Sequence, residues 1–377
     1  MRSPRARVAV TVVVVALVTL AAGCAVPDDP SADPGSPASS PSGPEIQGTV
    51  WVANEGGDSL SVIDAATSTV VTTVEGIDGP HNVQVGPDGD RVYAVSGHAS
   101  TLAALDTATY RLAGTAATGA NPAHVVLSPD GQRTYVTNYD AGSVSVYRAG
   151  LNPSGTIGLG GGPHGMRPSP DGTALVVANL KAATVDVIDT RTDTKIAAVP
   201  VGGPVVQVAV SPDSRYAYAS VSQPPSVVKI DLQARTVTGR TEVPAAPAQV
   251  YLTPDGRSLL SADQGSRDKP GTALSLIDTA TMTTAASITT GSGPHGVIIE
   301  PTGRRAWVTN VYDSTVSVID LTTRTTVTTI KVGDQPNGIS YAARPPAPAA
   351  ARTAVVLPAP SAATSGHDDH GGHGDHG

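Results

Sequence analysis

Short runs of alternating or β-branched apolar residues, separated by turn signals, recur along most of the chain. The clearest example is the stretch 294–341, whose Val-, Ile- and Thr-rich runs are Gly296–Ile299, Ala306–Thr309, Thr315–Ile319 and Thr325–Val332. Such residues suit a pleated, half-buried surface, so each run predicts a strand. Proline, glycine and polar segments between the runs predict turns. The stretch therefore predicts one small sheet of four antiparallel strands.

The same pattern restarts every 41 to 47 residues. Each copy opens on a proline, at Pro80, Pro122, Pro163, Pro204, Pro247, Pro294 and Pro336. In most copies the first turn is Pro-Asp-Gly or a close variant, starting at Pro87, Pro129, Pro170, Pro212 and Pro254. A four-stranded repeat of this length is typical of a β-propeller. We therefore expect an all-β protein, a seven-bladed β-propeller of four-stranded antiparallel blades.

Blade 1 has only three strands of its own, since its first run, Thr49–Ala53, matches the second strand of the other blades. The run Gly338–Tyr341 at the far end supplies the missing strand. We expect this C-terminal strand to complete blade 1 and close the ring, because closure removes open sheet edges. The propeller domain is predicted to span residues 48–344.

The N-terminus has the features of an export signal over residues 1–23. Arginines precede an apolar stretch that is too short for a comfortable membrane span. The sequence Leu20–Cys24 resembles a bacterial lipobox, which implies cleavage before Cys24 and its acylation. Residues 24–47 would then be the lipidated cysteine and a disordered Pro/Ser-rich tether. The alternative is a plain cleaved signal peptide with an incidental cysteine.

The repeats resemble YVTN-repeat propellers. Tyr135–Asn138 is the Tyr-Val-Thr-Asn signature itself, Trp307–Asn310 is a close variant, and the associated Val-Ser-Val-Ile-Asp element stands at Val316–Asp320. The resemblance covers about four-fifths of the chain and implies a propeller, here a secreted bacterial lipoprotein. It implies little about function, because related propellers include surface-layer proteins, ligand or nucleic-acid binders and lactonase-like enzymes.

Antiparallel strands place the repeat-opening prolines on one face, which we call the histidine face, and the Pro-Asp-Gly turns on the other, the turn face. Candidate ligand-binding residues at the channel entrance on the histidine face are His81, His98, His124, His164, His295 and Asn337. Imidazole can bind a metal, accept a proton or hydrogen-bond an anion. Alternatively, each histidine only bonds loop carbonyls, and the wide spacing does not by itself establish a three-histidine metal site.

Other repeated polar residues have a structural interpretation. The turn aspartates, such as Asp130, are expected to bond their own turn backbones. The asparagines that end second strands, such as Asn138, are expected to do the same. An insertion in blade 6, Gln264–Gly271, lies on the histidine face and is either a recognition loop or a tolerated surface insertion.

Residues 345–377 are predicted to form a disordered Pro/Ala linker and a tail rich in His, Asp and Gly. The tail's candidate metal ligands are His367, Asp368, Asp369, His370, His373, Asp375 and His376. Such a tract is typical of metal binding, and imidazole suits Zn²⁺, Cu²⁺ or Ni²⁺. The alternative is a solvated tail.

No catalytic motif is present, and the channel entrance is expected to be poor in carboxylates. The net charge of −8 argues against nucleic-acid binding. We therefore expect a monomeric lipoprotein, exported and anchored to the outer face of the cytoplasmic membrane, that binds an envelope protein or small ligand without catalysis and captures divalent metal with its tail. The alternatives are a lactonase-like or redox-cofactor enzyme, and a purely structural surface protein.

Overall fold

The computed structural model describes residues 46–358 of the 377-residue chain. The predicted signal peptide, Cys24, nearly all of the tether and the tail from His367 to His376 lie outside the described residues. Within residues 46–358, no helix has the length and apolar character needed to span a membrane.

The described chain is built almost entirely of short strands. In chain order they are β1 (Thr49–Asn54), β2 (Ser59–Asp64), β3 (Thr69–Glu75), β4 (Pro80–Val85), β5 (Arg91–Ser96), β6 (Thr101–Asp106), β7 (Leu112–Ala117), β8 (Pro122–Leu127), β9 (Arg133–Asn138), β10 (Ser143–Arg148), β11 (Asn152–Gly158), β12 (Pro163–Pro168), β13 (Ala174–Asn179), β14 (Thr184–Asp189), β15 (Thr194–Pro200), β16 (Val205–Val210), β17 (Tyr216–Val221), β18 (Ser226–Asp231), β19 (Thr236–Glu242), β20 (Val250–Leu252), β21 (Ser258–Gly265), β22 (Pro270–Asp278), β23 (Thr283–Thr289), β24 (Pro294–Ile299), β25 (Arg305–Asn310), β26 (Thr315–Asp320), β27 (Thr325–Lys331), β28 (Pro336–Ala342) and β29 (Arg352–Ala354). Two 3₁₀ turns interrupt them, at Glu55–Gly57 and Ala149–Leu151.

These strands form seven antiparallel blades, which confirms the predicted fold. Blades 2 to 7 each use four consecutive strands, from β4–β7 to β24–β27. In blade 1 the order is β28-β1-β2-β3, so the C-terminal strand supplies the innermost position. Thr49 lies opposite Ala342 and Trp51 opposite Ser340 in this pairing. The ring is therefore closed by the strand that the sequence predicts.

Adjacent blades pack through large buried side chains. The Trp307 ring of blade 7 stacks on Tyr341 of β28 with centroids 5.7 Å apart, and Trp51 of blade 1 lies 5.8 Å from Tyr110 of blade 2. Both tryptophans are fully buried. At about 25 cal/mol per Å² and about 150–250 Å² each, burial of one such ring is worth roughly 4–6 kcal/mol. These contacts hold the closing blade against both neighbours.

The turn aspartates bond their own turns, as predicted. Asp130 Oδ1 accepts hydrogen bonds from Ser128 Oγ at 2.6 Å and from the Gln132 N–H at 3.0 Å. The Ser128 bond, followed by the Gln132 bond, lowers the pKa of Asp130. Asp171 and Asp255 make the same pattern in their blades. These hydrogen bonds stabilise the turns on the turn face.

The asparagines that end second strands are structural too. Asn138 Nδ2 donates to Ser143 Oγ at 3.1 Å and to Ser145 Oγ at 2.9 Å, while its Oδ1 accepts from the Gly119 N–H at 3.0 Å. Blade 6 departs from this pattern, because Asp263 occupies the equivalent end of β21. Burial raises the pKa of Asp263 to about 7.

We predict that Asp263→Asn stabilises the protein at alkaline pH. Ser261 and Ser275 hydroxyls donate to Asp263 at 2.8 and 2.6 Å. An amide would reproduce the bonding of Asn54, Asn138 and Asn310 in blades 1, 3 and 7, each of which donates to two hydroxyls. Because the folded pKa lies above the ordinary value of 3.8, the aspartate supports folding at low pH and loses that support as pH rises through 7. Thermal unfolding at pH 8 should show a gain of roughly 2–6 °C, shrinking at pH 5. An equal gain in melting temperature at both pH values would contradict a raised pKa of Asp263 as the cause.

The segment after the propeller is more ordered than the sequence predicts. Instead of a disordered linker from residue 345, β29 pairs in parallel with β3, with Arg352 opposite Thr73 and Ala354 opposite Glu75. Val355 is buried in the cluster that contains Trp51. The reason is that residues 352–357 carry enough apolar surface to cover the outer edge of blade 1, which has no neighbouring strand otherwise. We call β29 and its flanking residues 345–358 the strap.

The blade 6 insertion extends a hairpin instead of forming an open loop. Ser266 and Lys269 exchange backbone hydrogen bonds at 3.0 and 3.1 Å, and the Arg267 guanidinium lies 5.3 Å from the Tyr312 ring centroid of blade 7. The first strand of this blade, β20, has only three residues. The insertion thus contacts blade 7 through Arg267 and Tyr312.

Candidate functional site

Four histidines meet at the channel entrance on the histidine face. His81, His164 and His295 are the second residues of their first strands, and His124 is the third residue of β8. Ring centroids are 5.1 Å apart for His81 and His164, 5.0 Å for His124 and His164, and 6.4 Å for His81 and His295. First strands line the axis of the propeller, so residues far apart in sequence become neighbours here.

The threonine of the Tyr-Val-Thr-Asn sequence helps to position two of these strands. Thr137 Oγ1 accepts a hydrogen bond from the His124 N–H at 3.0 Å and donates to the carbonyl oxygen of His164 at 2.6 Å. Ser220 and Thr309 make the same bridge, each accepting from the first strand of its own blade and donating to a carbonyl at the start of the next blade. The threonine of the repeat motif therefore holds the backbone of His124 and His164 in place.

Glu55 is the carboxylate of this site. It follows β1 directly, on the 3₁₀ turn Glu55–Gly57. Its Oε1 lies 3.1 Å from His81 Nδ1, and its Oε2 accepts a hydrogen bond from Asn337 Nδ2 at 2.6 Å. Burial alone would raise the pKa of Glu55, but the hydrogen bond and charge of His81 and the bond from Asn337 outweigh it and lower the pKa to about 2. The entrance therefore contains an ionised carboxylate at neutral pH.

These contacts bear on where the ring protons of two histidines lie. The Glu55 carboxylate only accepts and favours a proton on His81 Nδ1, whereas the Asn337 amide nitrogen, also 3.1 Å from that atom, only donates and favours a lone pair there. His164 Nδ1 lies 2.9 Å from the carbonyl oxygen of Val206, which also only accepts. A neutral His164 thus has a lone pair on Nε2. Its Nε2 and that of His81 face each other at 3.2 Å. This separation fits either a hydrogen bond between the two rings or one metal ion that both rings bind.

His124 completes a group of three. One ring nitrogen each of His81, His124 and His164 lies within 4.8 Å of the other two. His124 is 1% exposed, and its Nε2 has no hydrogen-bond partner within residues 46–358. Its Nδ1 lies 3.5 Å from Gln207 Nε2, at the outer limit of a hydrogen bond. A buried nitrogen without a partner is costly, so it points to a ligand.

Three of the four histidines are held neutral. Burial, reinforced by the charge of neighbouring His81, lowers the pKa of His164 to about 3 and that of His295 to about 4. Burial, followed by the charges of His164 and His81, lowers the pKa of His124 well below its ordinary range. Neutral imidazole is the form that binds metal or accepts a proton.

A small cavity opens beside the cluster. Its volume is about 270 Å³, and it is lined by Glu55, His81, Asn121, Ala123, Tyr139, His164 and Leu180. The Tyr139 ring meets that of His164 edge-on at 6.2 Å, and Lys181 Nζ lies 4.2 Å from the Tyr139 centroid. The cavity therefore has a polar floor of carboxylate and imidazole and a partly apolar wall.

The structure thus brings together five of the six candidates named from the sequence, namely His81, His124, His164, His295 and Asn337. It does not bring in His98, whose side chain is 69% exposed and bonded to Asp78 Oδ1 at 2.9 Å. That bond is the main reason why the pKa of His98 is raised. His98 therefore lies apart from the other four histidines, with its imidazole bonded to Asp78.

Three residues of the site were missed. The expectation of few carboxylates overlooked Glu55, and Gln207 and Tyr139 were not considered. A usable signal existed for two of them: Glu55 and Tyr139 each follow the asparagine that ends a second strand. That position leads from the strand end toward the channel, so the residue after each asparagine was a candidate.

Residues 54–202 match the family model of "Lactonase, 7-bladed beta-propeller". The match spans less than half of the chain, but it contains Glu55, His81, His124 and His164. No curated protein is similar enough to count as a match.

Several solved structures share the fold. A putative 6-phosphogluconolactonase from Bacteroides fragilis superposes with a TM-score of 0.68 at 19% identity, covering 80% of this chain and 100% of its own. Hydrazine synthase from Kuenenia stuttgartiensis gives 0.63 at 20% identity, covering 70% and 90%. The dihydro-heme d1 dehydrogenase NirN, in complex with DHE, gives 0.59 at 15% identity, covering 81% and 77%. At these identities the likeness shows the propeller fold alone.

These comparisons correct the expectation of a non-catalytic binding propeller. The family model that matches residues 54–202 is one of lactonases. The converging histidines and Glu55 agree with that finding. The enzymatic alternative is the better supported function.

Proposed function

We propose that this protein is a metal-dependent hydrolase of small lactones, with His81, His124 and His164 as the metal ligands. The observation that carries the proposal is the approach of His81 Nε2 and His164 Nε2 to 3.2 Å. Two nitrogens bound at ~2.0–2.1 Å to one tetrahedral ion lie about 3.3 Å apart. The existing separation of His81 and His164 therefore suits a shared ion, and a ring nitrogen of His124 lies within 4.8 Å of both.

The three imidazole ligands limit which metal ions the site would bind. Three imidazoles suit Zn²⁺, Cu²⁺ or Ni²⁺, and three protein ligands with an open fourth position are typical of catalytic zinc. Glu55 on His81 Nδ1 and the Val206 carbonyl on His164 Nδ1 correspond to the outer partners that orient metal-binding histidines. When bound, such an ion would polarise a carbonyl oxygen and make water more acidic.

The residues around the metal ligands support hydrolysis. The lactonase family match suggests the substrate class, and the 270 Å³ cavity suits a small ring. Water would add to the lactone carbonyl carbon, the ring C–O bond would break, and the water proton would pass to the departing oxygen to give a hydroxy acid. His295 lies beside the ligands with a buried, unpartnered Nδ1, and we assign it the transfer of that proton.

A redox-cofactor enzyme is the second enzymatic candidate, given the likeness to NirN in complex with DHE. The cavity argues against it, because about 270 Å³ lies below the ~300–1,000 Å³ of usual ligand pockets and leaves no room for a large macrocycle. Lactone hydrolysis therefore fits the described site better.

The YVTN-type repeat, the export signal and acylation of Cys24 remain predictions. With them, the enzyme would act on the outer face of the cytoplasmic membrane. The metal-binding tail also remains a prediction, and any test of the propeller site must separate the two.

Hydrolysis of small lactones by the purified protein tests the proposal. The protein is stripped with a chelator, and δ-valerolactone and glucono-δ-lactone are followed by proton release before and after addition of Zn²⁺. We expect hydrolysis to disappear on stripping and to return with about one equivalent of metal beyond what a His81→Ala/His164→Ala variant binds. The tail is the same in both proteins, so the difference reports the cluster alone. Equal metal binding by both, with no metal-dependent hydrolysis, would refute the proposal.

We predict that Glu55→Gln weakens metal binding without unfolding the protein. The amide keeps the shape but removes the charge that favours a proton on His81 Nδ1, and loss of such an outer partner typically costs 10–100-fold in metal affinity. Competition with a chromogenic zinc chelator measures the change. Glu242→Gln, on an exposed strand end, is the matched control and should leave affinity unchanged. Wild-type affinity in Glu55→Gln would show that Glu55 only stabilises the fold.

A further inference from the structure

The opposite mouth of the central channel, on the turn face, is an apolar funnel. A cavity of about 510 Å³ is lined by the last residues of the first strands of blades 4 to 7, and an adjoining one of about 280 Å³ extends the lining to blades 2 and 3. Arg167, Tyr251 and Ile298 line both cavities, so the two are parts of one space. Prolines of the first turns form much of its rim. We call this space the turn-face funnel.

Arg167 is the cationic side chain of the funnel. It lies near the end of β12 and is half-buried. Its Nη1 donates to the Met166 carbonyl at 3.0 Å, and its Cζ lies 5.9 Å from the Tyr251 centroid. Within residues 46–358, no carboxylate forms an ion pair with Arg167, and none of the residues that line the funnel is acidic. Among the described residues, the five N–H donors of this guanidinium have one hydrogen-bond acceptor, the Met166 carbonyl.

Other arginines do form ion pairs. Arg133 pairs with Asp193, Arg215 with Asp231 at 3.4 Å, and Arg344 with Asp90 at 2.6 Å. The last two arginine side chains are more than half exposed, where water already screens a charge. A guanidinium in an apolar surrounding is costly without an anion. Burial also lowers the pKa of Arg167, because removing the guanidinium from water disfavours its charged form.

We infer that the turn-face funnel binds a small apolar carboxylate, with its carboxylate on the Arg167 guanidinium. The planar guanidinium matches a carboxylate with two parallel hydrogen bonds. The hydrocarbon part lies against the apolar wall, which includes Val210, Leu252 and Ile298. The volume of about 510 Å³ is within the range of small-molecule pockets.

The lining favours a carboxylate over inorganic phosphate. One guanidinium balances one negative charge, whereas a phosphate carries nearly two and would need further donors. The cavity wall is mostly proline, isoleucine, leucine and valine, which offer none. An apolar body gains from this wall, while a bare inorganic anion would lose hydration without compensation.

This inference goes beyond lactone hydrolysis and stands on different residues. The funnel opens on the turn face, while the histidines lie at the other end of the channel. Its test is made on metal-free protein, so the outcome does not depend on whether the histidine cluster binds metal.

Isothermal titration calorimetry of the purified protein with octanoate, octan-1-ol and inorganic phosphate tests the inference. We expect octanoate to bind at least about tenfold more tightly than octan-1-ol, since a charged hydrogen-bonded pair distinguishes them. Phosphate should bind more weakly than octanoate. Arg167→Gln should weaken octanoate by at least about tenfold, whereas Arg191→Gln, on an exposed turn, should leave it unchanged.

Arg167→Lys is the control for loss of charge. It keeps the positive charge and should retain part of the octanoate affinity that Arg167→Gln loses. Circular dichroism melting confirms that each variant is folded. Should Arg167→Gln fail to fold, the comparison of octanoate with octan-1-ol on the wild type still decides. Equal binding of the acid and the alcohol, unchanged binding in Arg167→Gln, or tighter binding of phosphate would each overturn the inference.

Discussion

His164→Ala is expected to lower kcat/KM for lactone hydrolysis by at least about 100-fold and to abolish tight zinc binding by the propeller. The substitution removes one of the two Nε2 atoms that face each other at 3.2 Å. It also leaves the Val206 carbonyl without its donor and opens space on the channel axis. Loss of a mere outer partner costs 10–100-fold, so loss of a ligand should exceed that range. Steady-state kinetics with a saturating zinc series measure the change.

His98→Ala is the matched control for that experiment. It also removes an imidazole from the histidine face, but one that is exposed and bonded only to Asp78. Its kcat/KM and zinc affinity should equal those of the wild type. If His164→Ala kept wild-type activity, the cluster would be a structural feature of the entrance and the catalytic centre would have to lie elsewhere.

A chain that ends at Gln335 is expected not to fold. It lacks β28, so blade 1 loses its inner strand and β1 loses the five residue pairs that it forms with β28. Trp307 loses its stacking partner Tyr341, and Ile339 is removed from the buried cluster around Val50 and Val52. The whole stability of a domain is only about 5–15 kcal/mol, and these losses together should exceed it. Circular dichroism and size-exclusion chromatography measure the outcome.

Two longer chains make the control series. A chain ending at Arg344 keeps β28 but lacks the strap, and should fold with a melting temperature lower by a few degrees. A chain ending at Pro358 keeps both and should melt like the full protein. A cooperative, monomeric transition in the chain ending at Gln335 would contradict the closing role of β28.

The architecture was largely predictable because its cause is repeated. A turn such as Pro-Asp-Gly at Pro129 occurs blade after blade, so each copy supports the others and errors in one blade do not matter. The closing strand was predictable by counting, because blade 1 lacked a strand that 338–341 could supply. The strap was not, since β29 occurs once and its three residues are held by tertiary contacts with Thr73 and Glu75 instead of by local sequence preference.

The site was predictable only in part, for a related reason. His81, His164 and His295 share one place in the repeat, so the topology alone brings them to the axis. Glu55 is unique to blade 1 and its role depends on where the short turn after β1 directs one side chain. Which nitrogen of His81 carries the proton depends on that carboxylate and on Asn337. Such details are set by distances of a few ångströms, which a sequence pattern does not specify.

The pairing of Thr49 with Ala342 also bears on how the chain could be rearranged. The first and last strands of the ring are neighbours in one sheet, so the backbone could be joined there by a short peptide and cut at another link between blades, for instance near Gly202. Contacts in the closed ring do not depend on which blade holds the ends. A circularly permuted chain could thus keep the four histidines in the same arrangement. Its new termini could be placed at a link between blades where a fusion partner is wanted.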